Sequence, residues 1–345
     1  MPLVSCLMNV YNGEKYIREA VDSILNQTFS DFEFIIIDDG STDQTLQILQ
    51  SYNDSRIKVF KNGKNLGISE SRNRGLKKVS GKYIAPLDAD DISLPHRFMT
   101  QLNYMENHPE IDVCGSAAEV FGNTSRITEP LPTHDEILAG FLESCRLLYS
   151  STFIRRQTVL DLNVSFDTGF IFSEDYDFWV RLGLQGAKFV NLKEVLVKYR
   201  WHDSNVSVRH HEQQKLDAIR ARKHILNRLN INTQNKEAMH NSLQSGATAD
   251  EAMMKDIGDW ISELLKANKQ AGLFPDEVLE KEIARMWFRV LSNSCKNGTG
   301  VWNEYHRHPV SLYFPMGPIT KLKFYAKCLL KVNSKKELVE RIQTR

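Results

Sequence analysis

The sequence predicts an α/β chain, with a mixed, mostly parallel sheet flanked by helices and then an all-helical C-terminal region. Three observations carry this expectation. Short β-branched or aromatic runs alternate with helical patterns from the N-terminus onward. The first runs are apolar enough to read as buried strands. Strand signals stop beyond about residue 207, and the remaining residues have helical periodicity. The length of 345 residues fits roughly two domains of ordinary size.

Taken in order, Leu3–Val10 and Phe32–Ile37 read as strands around Glu14–Asn26, where Ile17, Ala20, Val21 and Ile24 recur at helical spacing. This is a β-α-β unit. Ser41 and Gln44 form a capping-box pattern before Leu46, Leu49 and Tyr52, predicting a second helix. A third helix is expected over Ile68–Val79, closed by Gly81, and a further strand over Lys82–Leu87. Pro95 stands where a first helical turn tolerates it, ahead of Phe98, Leu102 and Met105. Val113–Val120, Leu147–Ile154 and Val195–Tyr199 have strand composition. In the helical region Thr248 and Glu251 form another capping-box pattern. Met253, Met254, Ile257, Trp260, Ile261, Leu264 and Leu265 make one apolar stripe, and Val278, Leu279, Ile283, Met286, Trp287, Val290 and Leu291 a second; both read as core. The boundary between the two regions is drawn at 208/209.

Lys and Arg number 44 against 43 Asp and Glu, a net charge of +1, so nothing in the whole-chain charge calls for a nucleic-acid partner. Five cysteines, odd in number and without a C-x-x-C, argue against a disulfide scaffold or zinc ribbon and for a reducing compartment. Apolar runs such as Phe34–Ile37 fall far short of the roughly 20 residues a membrane span requires. A cytoplasmic location is expected, with the inner face of the membrane as its alternative.

In open α/β sheets, ligands bind beyond the carboxyl ends of the strands. Three such places are polar: Asn9-Val10-Tyr11-Asn12-Gly13, Asp38-Asp39-Gly40-Ser41 and Asp88-Ala89-Asp90-Asp91. Brought to one edge, they pair an aromatic ring with carboxylates, a combination suited to a nucleotide base and a metal-bound diphosphate. Neither G-x-G-x-x-G nor G-x-x-x-x-G-K-[ST] occurs, which weakens dinucleotide and P-loop readings. Asp88-Ala89-Asp90 is a D-x-D triplet after a strand-like run, fit either to ligate a cation or to cap the next helix. Asp175-Tyr176-Asp177 repeats the spacing at a helix start, where Ser173 could cap and acidic residues suit the helix dipole. One of its carboxylates could equally serve as a general base. His202 reads as a polar surface residue or as a metal or diphosphate contact.

The order of these motifs resembles the family 2 glycosyltransferases with the GT-A fold. It is carried by Val4–Asn12, Phe34–Asp43, Asn65-Leu66-Gly67 with Arg72-Asn73, Leu87–Asp91 with Pro95, and Glu174–Asp177. The resemblance covers roughly residues 2–208 and implies a nucleotide-sugar-binding half over 1–110 and an acceptor-facing half over 111–208. It implies that Asp39 binds the base with Tyr11 beside it, that Asn9, Asn65 and Arg72 are further nucleotide contacts, and that Asp88 and Ala89 lie near ribose. Asp90 is similar to the family's metal-ligating aspartate, with Asp88 acting directly or through water and His202 near the metal and diphosphate. Asp175 matches the segment that supplies the base. Asn9 departs from the family, which commonly has proline there. The reaction so implied is metal-dependent, inverting transfer from a nucleotide sugar, UDP-linked first, to a polysaccharide or lipid-linked acceptor, with Mn²⁺ or Mg²⁺ as cofactor. Sugar nucleotidyl transfer and an inactive nucleotide-sugar-binding assembly module are the competing readings.

From Ile319 to the C-terminus eight Lys and Arg face two Glu, leaving +6. Leu322, Tyr325, Ala326, Leu329 and Leu330 interleave with the lysines at helical spacing. Peripheral contact of 319–345 with an anionic bilayer, and packing of this stripe on the protein or in a homo-oligomer, are both open on sequence alone.

Overall fold

The computed structural model describes residues 1–203, 205, 210–232, 236–334 and 336–337. Of the basic C-terminal segment weighed above, 335 and 338–345 lie outside the described residues. The chain divides into two units, Met1–Ile137 with Ser144–Arg222, and Leu138–Glu143 with Lys223–Arg345.

The first unit holds a nine-stranded sheet in the order β3-β2-β1-β4-β8-β6-β9-β5, with β7 on β6. Its strands are β1 (Val4–Val10), β2 (Phe32–Asp38), β3 (Ile57–Lys61), β4 (Tyr83–Pro86), β5 (Ile92–Ser93), β6 (Val113–Gly122), β7 (Arg126–Ile127), β8 (Phe153–Arg155) and β9 (Phe189–Trp201). β1, β2, β3 and β4 are mutually parallel, and β6 is parallel to β9; β8 runs antiparallel between β4 and β6. The expected β-α-β start is thus present. The continuous apolar run of β2 has every residue buried, as a strand covered on both faces requires. β3 escaped the sequence reading, because Ile-Lys-Val-Phe-Lys breaks strict alternation at its adjacent Val and Phe and has no fully buried residue at this sheet edge. The expected strand over Leu147–Ile154 is instead a 3-10 turn, Tyr149–Ser151, followed by the short β8, and Val195–Tyr199 is the middle of the longer β9.

Helix α1 (Ile17–Leu25) buries Ile17, Ala20, Val21 and Ile24 as its spacing predicts. α2 (Thr45–Gln50) starts without the expected capping box: Ser41 Oγ accepts from the Asn12 N–H, and Asp43 accepts from the Thr45 N–H instead. α3 (Ile68–Leu76) buries Ser69, Ser71, Arg72 and Gly75, an unusually polar face. Its close approach is set by Gly75, where a Cβ would stand 2.4 Å from Leu7 Cδ1 on β1. α4 (Arg97–Asn107), α5 (His134–Gly140), α6 (Arg156–Asp161) and α7 (Glu174–Leu184) follow. Ser173 precedes α7 but does not cap it, donating to the Gln214 carbonyl instead.

α8 (His211–Arg228), α9 (Glu237–Ser245), α10 (Glu251–Ala271), α11 (Asp276–Asn293), α12 (Thr299–Arg307) and α13 (Pro318–Leu330) make the helical C-terminal region. Both predicted stripes are core: Met254, Ile257, Trp260, Ile261 and Leu264 are buried on α10, and Leu279, Ile283, Met286, Trp287, Val290 and Leu291 on α11. The cap of α10 is Asp250, accepting from the Met253 N–H, so the Thr248–Glu251 pattern is displaced by its neighbour. Glu143, buried in the second unit, pairs with Arg285 and Arg289. No described helix is long and apolar enough to cross a membrane.

Under β4 the core of the first unit contains a buried polar relay. Arg97, fully buried, donates to the carbonyls of Pro86 and Thr152 and to Gln101 Oε1, while Gln101 Nε2 donates to the carbonyls of Cys114 and Ser151. These bonds join α4 to β4, β6 and the end of the 3-10 turn. Gln101→Leu would leave two carbonyls and the Arg97 Nε–H unpartnered at little change in volume, a cost on the order of 2–4 kcal/mol. We expect a lower urea midpoint with an unchanged m-value; a midpoint equal to wild type would show that the relay adds nothing to stability.

Candidate active site

Parallel pairing brings the three polar strand ends to one edge. β1 lies between β2 and β4, with Val10 opposite Asp38 and Leu7 opposite Pro86, so Asn9–Gly13, Asp38–Ser41 and Asp88–Asp91 all follow the carboxyl ends of adjacent strands. The first two loops are laced together. Asn12, in a left-handed conformation, accepts at Oδ1 from the Thr42 N–H, the Gly13 N–H donates to Thr45 Oγ1, and the Glu14 N–H donates to Asp43. Tyr11 is left 48% exposed at this rim.

Asp39 is buried and organises the next loop. Its Oδ1 accepts from Asn62 Nδ2 at 2.7 Å and the Leu66 N–H at 2.9 Å, and its Oδ2 from the Gly67 N–H at 3.0 Å. Asn65 Oδ1 accepts from that same Gly67 N–H. Gly40 has φ +76°, and a Cβ there would be 2.7 Å from the Lys64 carbonyl carbon, so the strand end and the loop can close only around glycine. Asn9 carries an amide whose Nδ2 and Oδ1 are buried without a hydrogen-bond partner among the described residues.

The centre of the site is Arg72. Its guanidinium, 3% exposed, donates from Nη1 to Glu174 Oε1 at 2.6 Å and from Nη2 to Asp88 Oδ1 at 3.1 Å, and lies 3.5 Å from the centroid of the Tyr149 ring. Nε is buried without a described hydrogen-bond partner. One cation therefore ties the D-x-D loop to the acidic start of α7, with the 3-10 turn beneath it. Ser150 adds to this, accepting from the Asp88 N–H and donating to Asp88 Oδ2. Burial raises the Glu174 carboxyl to about 7 despite the opposing Arg72 charge. Burial also raises Asp175, again against Arg72, and Asp88 adds to the rise. Asp175 Oδ1 accepts from the Tyr176 N–H at 2.7 Å.

A second cluster forms at Asp90. Its Oδ2 lies 3.0 Å from His202 Nε2, while Arg200, on β9, donates from Nε to the Asp90 carbonyl at 2.8 Å and from its N–H to Asp91 Oδ1 at 2.9 Å. Burial and the neighbouring Asp88 charge push Asp90 above the usual carboxylate range, with the His202 hydrogen bond opposing. A carboxylate oxygen beside an imidazole nitrogen is a donor pair that would suit a divalent cation only if further ligands came from outside the chain. Among the described residues no group of three or more His, Cys, Asp or Glu could hold a metal by itself.

The predicted residues thus form three sets, Arg72, Asp88 and Glu174-Asp175 together, Asp90 with His202, and Asp39 with Asn65 around the 64–67 loop, while Asn9 and Tyr11 stand apart at the end of β1. Ala89 is half-buried between the first two sets in sequence. Tyr149, Ser150 and Arg200 were missed as site residues. The first two were hidden in a run with strand composition, and Arg200 in a strand where nothing local marks its target 110 residues away.

Glu174 makes a pH test. Between its ordinary 4.5 and about 7 the native state holds a proton that the unfolded state has lost, so stability falls as pH rises through that window. Glu174→Gln lacks this dependence. In urea unfolding from pH 4.5 to 7, wild type should lose stability relative to the variant by up to about 1.4 kcal/mol per pH unit; a constant difference would mean that Glu174 titrates normally.

The family described as Glycosyl transferase family 2 matches residues 5–174. An uncharacterized glycosyltransferase of Methanocaldococcus jannaschii is 38% identical over 207 residues, 58% of this chain and 71% of that protein. The Escherichia coli UDP-Glc:alpha-D-GlcNAc-diphosphoundecaprenol beta-1,3-glucosyltransferase WfaP is 34% identical over 216 residues, 60% of this chain and 80% of its own. In fold, the chain resembles S. aureus TarS 1–349 crystallised with UDP-GlcNAc, with a TM-score of 0.55 at 18% identity, covering 90% of this chain and 91% of that one. With the strand-end carboxylates and the acidic helix start in the family's order, this chain belongs to the family 2 glycosyltransferases.

Proposed function

We propose that this glycosyltransferase moves a sugar from a nucleoside diphosphate, UDP first, to a hydroxyl of a polysaccharide or lipid-linked glycan, inverting the anomeric carbon. The observation that carries it is the Arg72 bridge, which holds Asp88 of the D-x-D loop and Glu174 of the α7 start on one guanidinium. Donor and acceptor chemistry need those two groups in fixed register. The donor and acceptor classes rest on relatives: WfaP is named for a UDP-glucose donor and a diphosphoundecaprenol acceptor, and TarS was crystallised with UDP-GlcNAc.

In this reading Asp175 accepts the proton of the attacking hydroxyl. A carboxylate whose affinity for a proton is raised by burial is a stronger proton acceptor than one in water. Glu174, paired to Arg72, orients the helix start and does not take the proton. Tyr11 offers an exposed ring to the base, and Asp39 shapes the loop of Asn65 against it. Asp88 and Ala89 lie toward the ribose. Asp90 and His202 would hold Mn²⁺ or Mg²⁺, whose chemistry is to offset the charge of the departing diphosphate as a Lewis acid. Inversion follows from a single displacement with base and leaving group on opposite faces of the sugar.

Asp175→Asn should keep UDP affinity in calorimetry while kcat falls on the order of 10²-fold or more, because an amide cannot take the proton. Equal loss of UDP binding would make Asp175 structural and place the base elsewhere. Asp90→Ala should abolish the manganese dependence of UDP binding and most turnover. Full activity of wild type in excess chelator would overturn the metal assignment, and pyrophosphate release in place of sugar transfer would favour nucleotidyl transfer.

A further inference from the structure

α13 presents two different faces. Phe324 and Cys328 are buried, Phe324 against the rings of Trp302, Tyr305 and Phe288, and this anchors the helix within its own unit. Ile319, Leu322 and Leu329 are 69%, 68% and 54% exposed, and Tyr325 is exposed beside them. At 100° per residue these four fall within an arc of about 120°, turned roughly 130° away from the buried pair. Leu312, in the preceding 3-10 turn Pro309–Tyr313, is exposed as well, at 81%. The exposed apolar side chains of this face are not required by the core, to which Phe324 and Cys328 already contribute.

The charges complete the pattern. α13 contains no acidic residue, and the wheel places Lys321 on one flank of the apolar arc and Lys323 on the other, both exposed. Trp302 and Tyr325 pack with ring centroids 4.9 Å apart, with Lys321 over the indole, which collects amphipathic rings beside the same face. An apolar arc edged by lysines, with aromatic rings nearby, is the arrangement of a helix lying in a membrane interface. A second copy of the same face would bring Lys321 and Lys323 against their own like charges, which disfavours self-association.

We propose that α13 is a docking surface for an anionic lipid bilayer, with Ile319, Leu322, Tyr325 and Leu329 entering the interface and Lys321 and Lys323 meeting lipid headgroups. This surface is independent of the transferase reading, since none of its residues belongs to the site. The basic excess of +6 from Ile319 onward, in a chain of net +1, draws the segment to negative lipid.

The test is co-sedimentation of the full chain with vesicles of phosphatidylglycerol and phosphatidylcholine in equal parts, and of phosphatidylcholine alone. Binding to the anionic vesicles should be on the order of tenfold stronger or more, and should weaken as salt is raised from low to physiological strength. The neutral pair Leu322→Gln/Leu329→Gln should reduce binding at constant charge, and Lys321→Gln/Lys323→Gln should reduce its salt dependence, both with wild-type thermal unfolding. Equal recovery with both lipids, or anionic binding untouched by the leucine variants, overturns the proposal. So does a concentration-dependent oligomer in analytical ultracentrifugation that the leucine variants dissociate, because the face would then be a subunit contact.

Discussion

A guanidinium with 3% of its surface exposed must be paired, and at Arg72 the pairing organises everything around it. Its Nη atoms reach Glu174, 102 residues away, and Asp88, 16 residues away, and its flat face covers Tyr149. Removing either carboxylate would leave charge buried without full compensation, so α3, the D-x-D loop and the start of α7 are held to one arrangement. The same field acts on the acids: burial lifts Glu174 and Asp175, and Arg72 pulls both back toward ionisation. What stabilises the site therefore also sets the basicity of its carboxylates.

That guanidinium is carried by α3, which lies close against β1 at Gly75, where a Cβ would stand 2.4 Å from Leu7 Cδ1. The parallel order β2-β1-β4 then supplies the rest, since three loops emerging from one sheet edge must share a rim. Two devices keep the rim in shape: Asn12 laced to Thr42, and Asp39 bonded to Leu66 and Gly67. Backbone N–H groups donating to these side-chain oxygens replace secondary structure in loops that have none of their own.

The helical unit follows a different rule. Its core is made by the stripes of α10 and α11, and the buried Glu143 is paired by the half-exposed Arg285 and Arg289. On α13, by contrast, the larger part of the apolar surface is turned outward. Propensity and spacing make α13 a helix, but they do not say which of its two apolar faces the core will take.

Much was legible without coordinates. The period of Ile17, Ala20, Val21 and Ile24, the apolar run of β2, and the order of the acidic motifs are local properties, and they determined the α/β class, the helical C-terminal region and the family to which the chain belongs. Periodicity is written in neighbouring residues, so it survives without tertiary context. Caps were less legible: Ser41 and Thr248 had suitable chemistry, yet α2 starts without a side-chain cap, Asp43 accepting from the Thr45 N–H, and Asp250 caps α10. The edge strand β3 was lost because half-burial weakens its pattern, and the 3-10 turn at Tyr149 because it lies in a run whose composition favours a strand. Tertiary structure alone decided that Arg72 would face Glu174 and Asp88, that Arg200 would clamp the Asp90 loop, and that Asp39 would hold its neighbouring loop. Those contacts join residues up to 110 positions apart, and pairing at that separation depends on strand order and close packing, which no local spacing encodes.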